Sequence, residues 1–88
     1  MSQLRDTGTR YELDVEGQIV FANYRRSGNV LTILYVEAPV ALRGTGAAGR
    51  LMTLLGEEAR KNGWSIIPVC GYAAAWLRSS KTYRDLVA

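Results

Sequence analysis

Histidine is missing from this 88-residue sequence, and cysteine occurs once, as Cys70. A single cysteine closes no disulfide within the chain. With no imidazole and one thiol, a zinc site lacks its usual ligands, so no metal is expected. The histidine-dependent hydrolase triads are excluded on the same ground. Long apolar runs are missing too. No stretch of about 18 apolar residues exists, so nothing reads as a membrane span. The opening Met1-Ser2-Gln3-Leu4-Arg5-Asp6 has no apolar core and does not read as a signal peptide, which makes a cytoplasmic address the expectation. Charge of one sign is scarce as well: the net charge is +3. Its basic residues are scattered as Arg25-Arg26, Arg60-Lys61 and the loose set Arg78, Lys81 and Arg84. No basic stripe interleaves with aromatics, which disfavours nucleic acid as a partner. A mildly basic surface or a small anionic ligand accounts for the excess.

What is present is enough for one domain spanning residues 1–88, with a small core. Tyr11, Leu13 and Val15 alternate with Glu12, Asp14 and Glu16, the period of a strand with one wet face. Gly17 breaks that strand, and a second runs from Gln18 to about Arg25. After the turn signal Ser27-Gly28-Asn29, a third runs from Val30 to Glu37. It is apolar on both faces, which predicts a central place in the sheet. Residues 1–8 fall outside every element read in this way and are candidates for disorder.

Pro39 ends the third strand, and the segment Arg43-Gly44-Thr45-Gly46-Ala47-Ala48-Gly49 leads into a helix reaching about Asn62. Ala48, Leu51, Met52, Leu55 and Ala59 share one helical face. Asn62-Gly63 stops the helix. Trp64 to Cys70 reads as a short fourth strand, and Tyr72 to Ser79 as a second helix. The tail Tyr83 to Val87 packs back on the sheet. A strand, helix and strand in sequence imply a right-handed crossover with parallel strands. Pro68 donates no ladder hydrogen bond, so the fourth strand lies at an edge or splays from its neighbour. The predicted fold is therefore α/β of the α+β kind: a three-strand antiparallel meander, a β-α-β crossover to a parallel fourth strand, and a short C-terminal helix.

The glycine-rich segment carries the chemistry. Backbone N–H groups and the helix dipole converge at a helix start and favour an anion. Glycines allow close approach of the backbone, and Arg43 adds a charge-assisted contact. A P-loop needs Gly-Lys-Ser/Thr at its end, which is absent. Gly44-x-Gly46-x-x-Gly49 matches the dinucleotide fingerprint literally, but no Asp or Glu occurs between Glu58 and Asp85 to hold a ribose. The third pattern, [Q/R]-x-x-G-x-[G/A], is met by Arg43, Gly46 and Ala48. It is the coenzyme A pyrophosphate loop of the GNAT superfamily. On composition alone, these glycines are equally turn residues.

From Glu37 to Val87 the chain resembles the small GNAT-like N-acetyltransferase domain family. The resemblance rests on Glu37-Ala38-Pro39, Arg43-Gly44-Thr45-Gly46, Pro68-Val69-Cys70, Tyr72 and Tyr83-Arg84-Asp85-Leu86-Val87. The sequence departs from the family pattern in three places. Gly71 stands where proline usually follows the cysteine, Ser80-Lys81 replaces a His-Pro pair, and Tyr35 stands where histidine is frequent. The resemblance implies a minimal GNAT-like fold and acetyl transfer from acetyl-CoA to an amine acceptor. It implies that Arg43, Gly44, Thr45, Gly46, Ala47, Ala48 and Gly49 cradle the cofactor. The pantetheine arm would then lie between two splayed parallel strands, with the thioester near Val36 to Ala38.

Three residues compete for catalysis. Glu37 ends the third strand and can deprotonate an amine, or is a solvated strand-end carboxylate. Cys70 can accept an acetyl group or protonate a departing thiolate, but a lone cysteine without histidine reads first as a small packing residue. Tyr72 can protonate the coenzyme A thiolate, or is a packing aromatic. A coenzyme A-binding or interaction module with little catalysis is the alternative from a different class. The acceptor stays open between a protein lysine, a polyamine and a metabolite amine, and the oligomeric state between monomer and dimer.

Overall fold

The computed structural model describes residues 4–88. Among these residues, five strands form one sheet in chain order: β1 (Leu4–Asp6), β2 (Arg10–Val15), β3 (Gln18–Ser27), β4 (Val30–Glu37) and β5 (Ser65–Pro68). The first four pair antiparallel, and β5 pairs parallel to β4. Helix α1 (Ala47–Asn62) makes the crossover, and α2 (Gly71–Ser79) follows β5. The meander thus has four strands, one more than the sequence pattern predicts. The extra strand lies in the segment that was a candidate for disorder, whose residues 1–3 fall outside the described residues. Among the described residues, no helix is long and apolar enough to cross a membrane.

Both helices pack on one face of the sheet. Tyr11, Leu13, Val20, Ala22, Leu31 and Ile33 from the strands meet Leu51, Met52, Leu55, Ala73 and Leu77 from the helices in one core. Burial of each large aliphatic side chain there contributes roughly 1.5–3 kcal/mol. Helix α1 ends on Gly63 in the left-handed conformation, with Arg60 and Lys61 in its last turn complementing the dipole. Arg60 also ties the tail. It donates to the Thr82 carbonyl at 2.6 Å, pairs with Asp85 at 2.9 Å, and lies over the Tyr83 ring. Beyond Tyr83, Val87 bridges to Ile66, and the Ala88 N–H donates to the Ile66 carbonyl at 2.8 Å.

One irregularity shapes the site. Tyr24 pairs with Ile33, but Asn23 pairs with Tyr35, so Leu34 is an extra residue in β4. This bulge re-phases the strand. Leu31 and Ile33 face the helices before it, and Val36 faces them after it. Leu34 and Tyr35 are left exposed at 37% and 48%. The two-sided apolar character of Val30–Glu37 therefore marks a shift of phase and not burial of both faces. β4 does lie between two strands, as expected.

The Tyr11 and Tyr24 rings pack with centroids 4.6 Å apart and planes tilted by 31°, and the Tyr24 hydroxyl donates to Asp6 at 2.6 Å. Burial pushes the Tyr11 phenol up from 10.0 to about 12, and burial with the Asp6 hydrogen bond raises that of Tyr24. A phenol that holds its proton more tightly in the folded chain stabilises the fold fully below its unfolded value. That contribution disappears as pH rises through the folded value. Melting temperature should therefore hold up to about pH 10 and fall between pH 10 and 12. Tyr11→Phe should weaken this alkaline fall, as followed by circular dichroism.

Candidate functional site

The site grows from the C-terminal end of β4. Pro39 leads into a 3-10 turn over Val40–Leu42, whose Leu42 is buried as a plug. The Thr45 N–H and hydroxyl both donate to the Leu42 carbonyl, at 3.1 and 2.5 Å, and brace the loop from below. Gly44 and Gly46 have φ of 82° and 83°, where a Cβ is strained although no atom lies within 4 Å of its place. The backbone path demands these two glycines, and crowding does not.

Gly46 is the N-cap of α1, with no side chain capping it and no acid in the first turn. The first helical hydrogen bond is donated by Arg50 to the Gly46 carbonyl at 3.0 Å. The N–H groups of Ala47, Ala48 and Gly49 precede it and point out of the helix start. Gly49 serves packing as well: a Cβ there would lie 3.4 Å from the Trp76 indole nitrogen and 4.0 Å from the Tyr72 hydroxyl. Helix α2 thereby comes close to the first turn of α1. A cleft of about 280 Å³ results, lined by Ala38, Leu42, Arg43, Gly44, Gly46, Ala47, Ala48, Gly49 and Tyr72. At its rim the Arg43 guanidinium donates to the Ala38 carbonyl at 3.4 Å.

The β4–β5 ladder ends at Ile33↔Pro68. The Val69 and Cys70 N–H groups both donate to the Ile33 carbonyl, at 2.9 and 3.2 Å, and the chain turns into α2. The bulge at Leu34 and the missing N–H of Pro68 thus part the strands where the cleft begins. Val36 is buried on the helix side of this seam. Cys70 is half-buried at the seam, as the N-cap of α2.

The three candidate catalytic residues do not form one cluster. Tyr72 is in the cleft, on the helix side. Burial, and then the nearby Cys70 charge, raise its phenol above the usual tyrosine value. Glu37 pairs across strands with Phe21, which places it on the open face of the sheet. There the Tyr35 hydroxyl donates to the Glu37 carboxylate. That bond raises the Tyr35 phenol, with the Glu37 charge adding to it. Cys70 lies between, near enough for its charge to act on both tyrosines. Sequence reasoning missed Phe21 and Tyr35 as neighbours of Glu37. Their rings lie 6.3 Å apart, but only the register brings them there.

Among solved structures, the chain is similar to the NMR solution structure of a protein from Staphylococcus aureus described as GCN5-like. The TM-score is 0.71 and the identity 23%, with coverage of 100% of this chain and 91% of the other. The likeness establishes the shared fold. No curated protein matches the chain. Residues 10–86, most of the sequence, match the family described as GCN5-related N-acetyl-transferase. An uncapped, acid-free helix start and a parted pair of parallel strands accompany this match: the chain belongs to the GCN5-related N-acetyltransferase family of acyltransferases.

Proposed function

We propose that the chain binds acetyl-CoA in the cleft at the start of α1 and transfers its acetyl group to an amine. The observation that carries this reading is the uncapped, acid-free helix start with Arg43 at its rim. A pyrophosphate fits that chemistry. Three consecutive N–H groups and a guanidinium answer its charge, and two left-handed glycines let it approach the backbone. Arg43 and Gly44 to Gly49 would hold the pyrophosphate, with Thr45 bracing the loop. The backbone from Val36 to Ala38 would receive the pantetheine arm in the parted seam.

When bound, acetyl-CoA supplies the acetyl group as an activated thioester. In the overall transfer a carbon–nitrogen bond replaces the carbon–sulfur bond, and sulfur leaves with the bonding pair. The protein's task is to move two protons. Glu37 takes the proton that the amine must lose, from the open face of the sheet. Tyr72 gives one to the departing sulfur from the helix side, as a phenol that is neutral at neutral pH. A backbone N–H near Val36 to Ala38 steadies the carbonyl oxygen. Cys70 packs the seam between them.

The separation of Glu37 from Tyr72 also favours a second reading, a coenzyme A-binding module that transfers slowly or not at all. Thermal unfolding with ligand tests the shared part. Acetyl-CoA or coenzyme A at about 100 times its dissociation constant should add roughly 2.7 kcal/mol. For a domain of this size the melting temperature should rise by more than about 10 °C. NAD should give no rise. No shift with any of the three refutes both readings. Replacing Glu37, Cys70 and Tyr72 singly then separates them, because the transferase reading requires at least Glu37→Gln to slow turnover.

A further inference from the structure

The open face of the sheet carries a second feature beside Glu37. A wide hollow of about 840 Å³ is lined by Arg10, Glu12, Asn23, Arg25, Arg26 and Leu34, among others. Arg10 and Arg25 bring two guanidinium groups to it against the Glu12 carboxylate, with which Arg10 pairs at 3.6 Å, so the hollow keeps a positive excess at Arg25; the Arg26 guanidinium lies instead over the Trp64 ring and donates to the Gly28 carbonyl. It adjoins Tyr35, because Asn23 on its wall is the cross-strand partner of Tyr35. Next to it the chemistry changes sign. Glu37 is held by the Tyr35 hydroxyl, and Phe21 and Tyr35 present their rings at its side. Such rings attract cations: the Arg10 guanidinium already lies 3.8 Å above the centroid of Phe21. The face therefore has a small pole suited to an ammonium group and a larger pole suited to carboxylates.

We infer that the acceptor is a lysine side chain within an acidic peptide segment, docked on this face. The inference rests on the acetyltransferase reading and adds the acceptor to it. The lysine ammonium sits against Phe21, Tyr35 and Glu37, opposite the seam through which the thioester is reached. The flanking carboxylates lie in the hollow, against Arg25 and Arg10. A free alkylamine satisfies only the small pole. Charge complementarity of this kind acts on specificity and on the rate of encounter, and salt weakens it.

The test is a set of five-residue peptides with a central lysine flanked by aspartates, glycines or arginines, with n-butylamine as the free amine. Coenzyme A release is followed, and acetyl-CoA binding is measured on the same protein. The acidic peptide should exceed the glycine peptide by about tenfold in kcat/KM, and the arginine peptide by more. The preference should shrink in 0.5 M salt by the screening of exposed charges. Arg25→Glu should abolish the preference and leave acetyl-CoA binding unchanged. Tyr35→Phe should lower kcat for every peptide without altering KM for acetyl-CoA. Equal rates for all flanks, or a preference for n-butylamine, overturns the inference while leaving the transferase reading intact. So does stronger inhibition by a single-stranded RNA of equal charge than by a non-acetylatable acidic peptide. Failure to bind acetyl-CoA at all overturns the inference and the reading beneath it. The comparison of peptides uses the wild-type chain, so it stands even if Arg25→Glu folds poorly.

Discussion

Gly56→Ala should lower the melting temperature by roughly 10 °C, a large effect for one methyl group on a helix. Gly56 is buried in the middle of α1, where alanine is ordinarily the better helix former by about 1 kcal/mol. The Tyr83 ring reverses the sign. A Cβ on residue 56 would lie 2.7 Å from Cδ1, 2.8 Å from Cγ and 3.0 Å from Cε1 of that ring. The ring has little room to withdraw. It stacks on Trp76 at 6.2 Å, the Arg60 guanidinium covers it, and the residue is 8% exposed. Overpacking of this sort costs about 1–3 kcal/mol. At roughly 4–8 °C per kcal/mol, a net loss near 2 kcal/mol gives the stated shift. Calorimetry of Gly56→Ala, Tyr83→Leu and the double variant checks the cause. If the ring is responsible, the alanine is far less harmful once Tyr83 is gone. Additive losses would refute the steric account.

Gly46→Val should reduce acetyl-CoA affinity by about 100-fold while the fold survives. A Cβ at this position meets no atom within 4 Å, and Gly46 lies outside the core cluster, so core packing is spared. The backbone is the obstacle. Left-handed φ costs an ordinary residue about 1–2 kcal/mol, and a β-branched one more. The turn relieves this by rotating away from φ 83°, which re-aims the first N–H groups of α1. A 100-fold loss corresponds to about 2.7 kcal/mol, comparable to losing two charge-assisted hydrogen bonds. Gly28→Val is the control. It has φ of 58° in the β3–β4 turn, outside the residues lining the cleft, and should cost stability without changing affinity. Titration calorimetry of both variants decides the matter. Equal affinity losses would place the effect in general destabilisation and not in the loop.

The end of the cleft proposed to bind the cofactor was readable in the sequence, and the face proposed for the acceptor was hidden. Gly44, Gly46 and Arg43 are legible because a glycine-rich helix start is a local feature, complete within seven residues. The helices were legible for a similar reason: Leu51, Met52, Leu55 and Ala59 repeat with the helical period and are all fully buried. β1 was not legible. Leu-Arg-Asp has no alternation to detect, and its place depends on Leu4 finding Leu13 across the sheet. The bulge at Leu34 was hidden because one inserted residue makes a half-buried strand resemble a two-sided one. The neighbourhood of Phe21, Tyr35 and Glu37 follows from that bulge. Without it the residues after Ile33 would exchange faces, and Glu37 would point toward the helices.

The tail that returns to Ile66 has a consequence for how molecules of this protein meet one another. A sheet offers two outer strands to which foreign strands can add, the usual beginning of aggregation. Here one outer strand is β5, whose far side is already engaged by Val87 and Ala88. The other, β1, is three residues long and carries Arg5 and Asp6. Among the described residues, neither border offers a long, flat, uncharged template. The protein can therefore leave a broad sheet face bare for a partner and still resist joining edge to edge with its own copies.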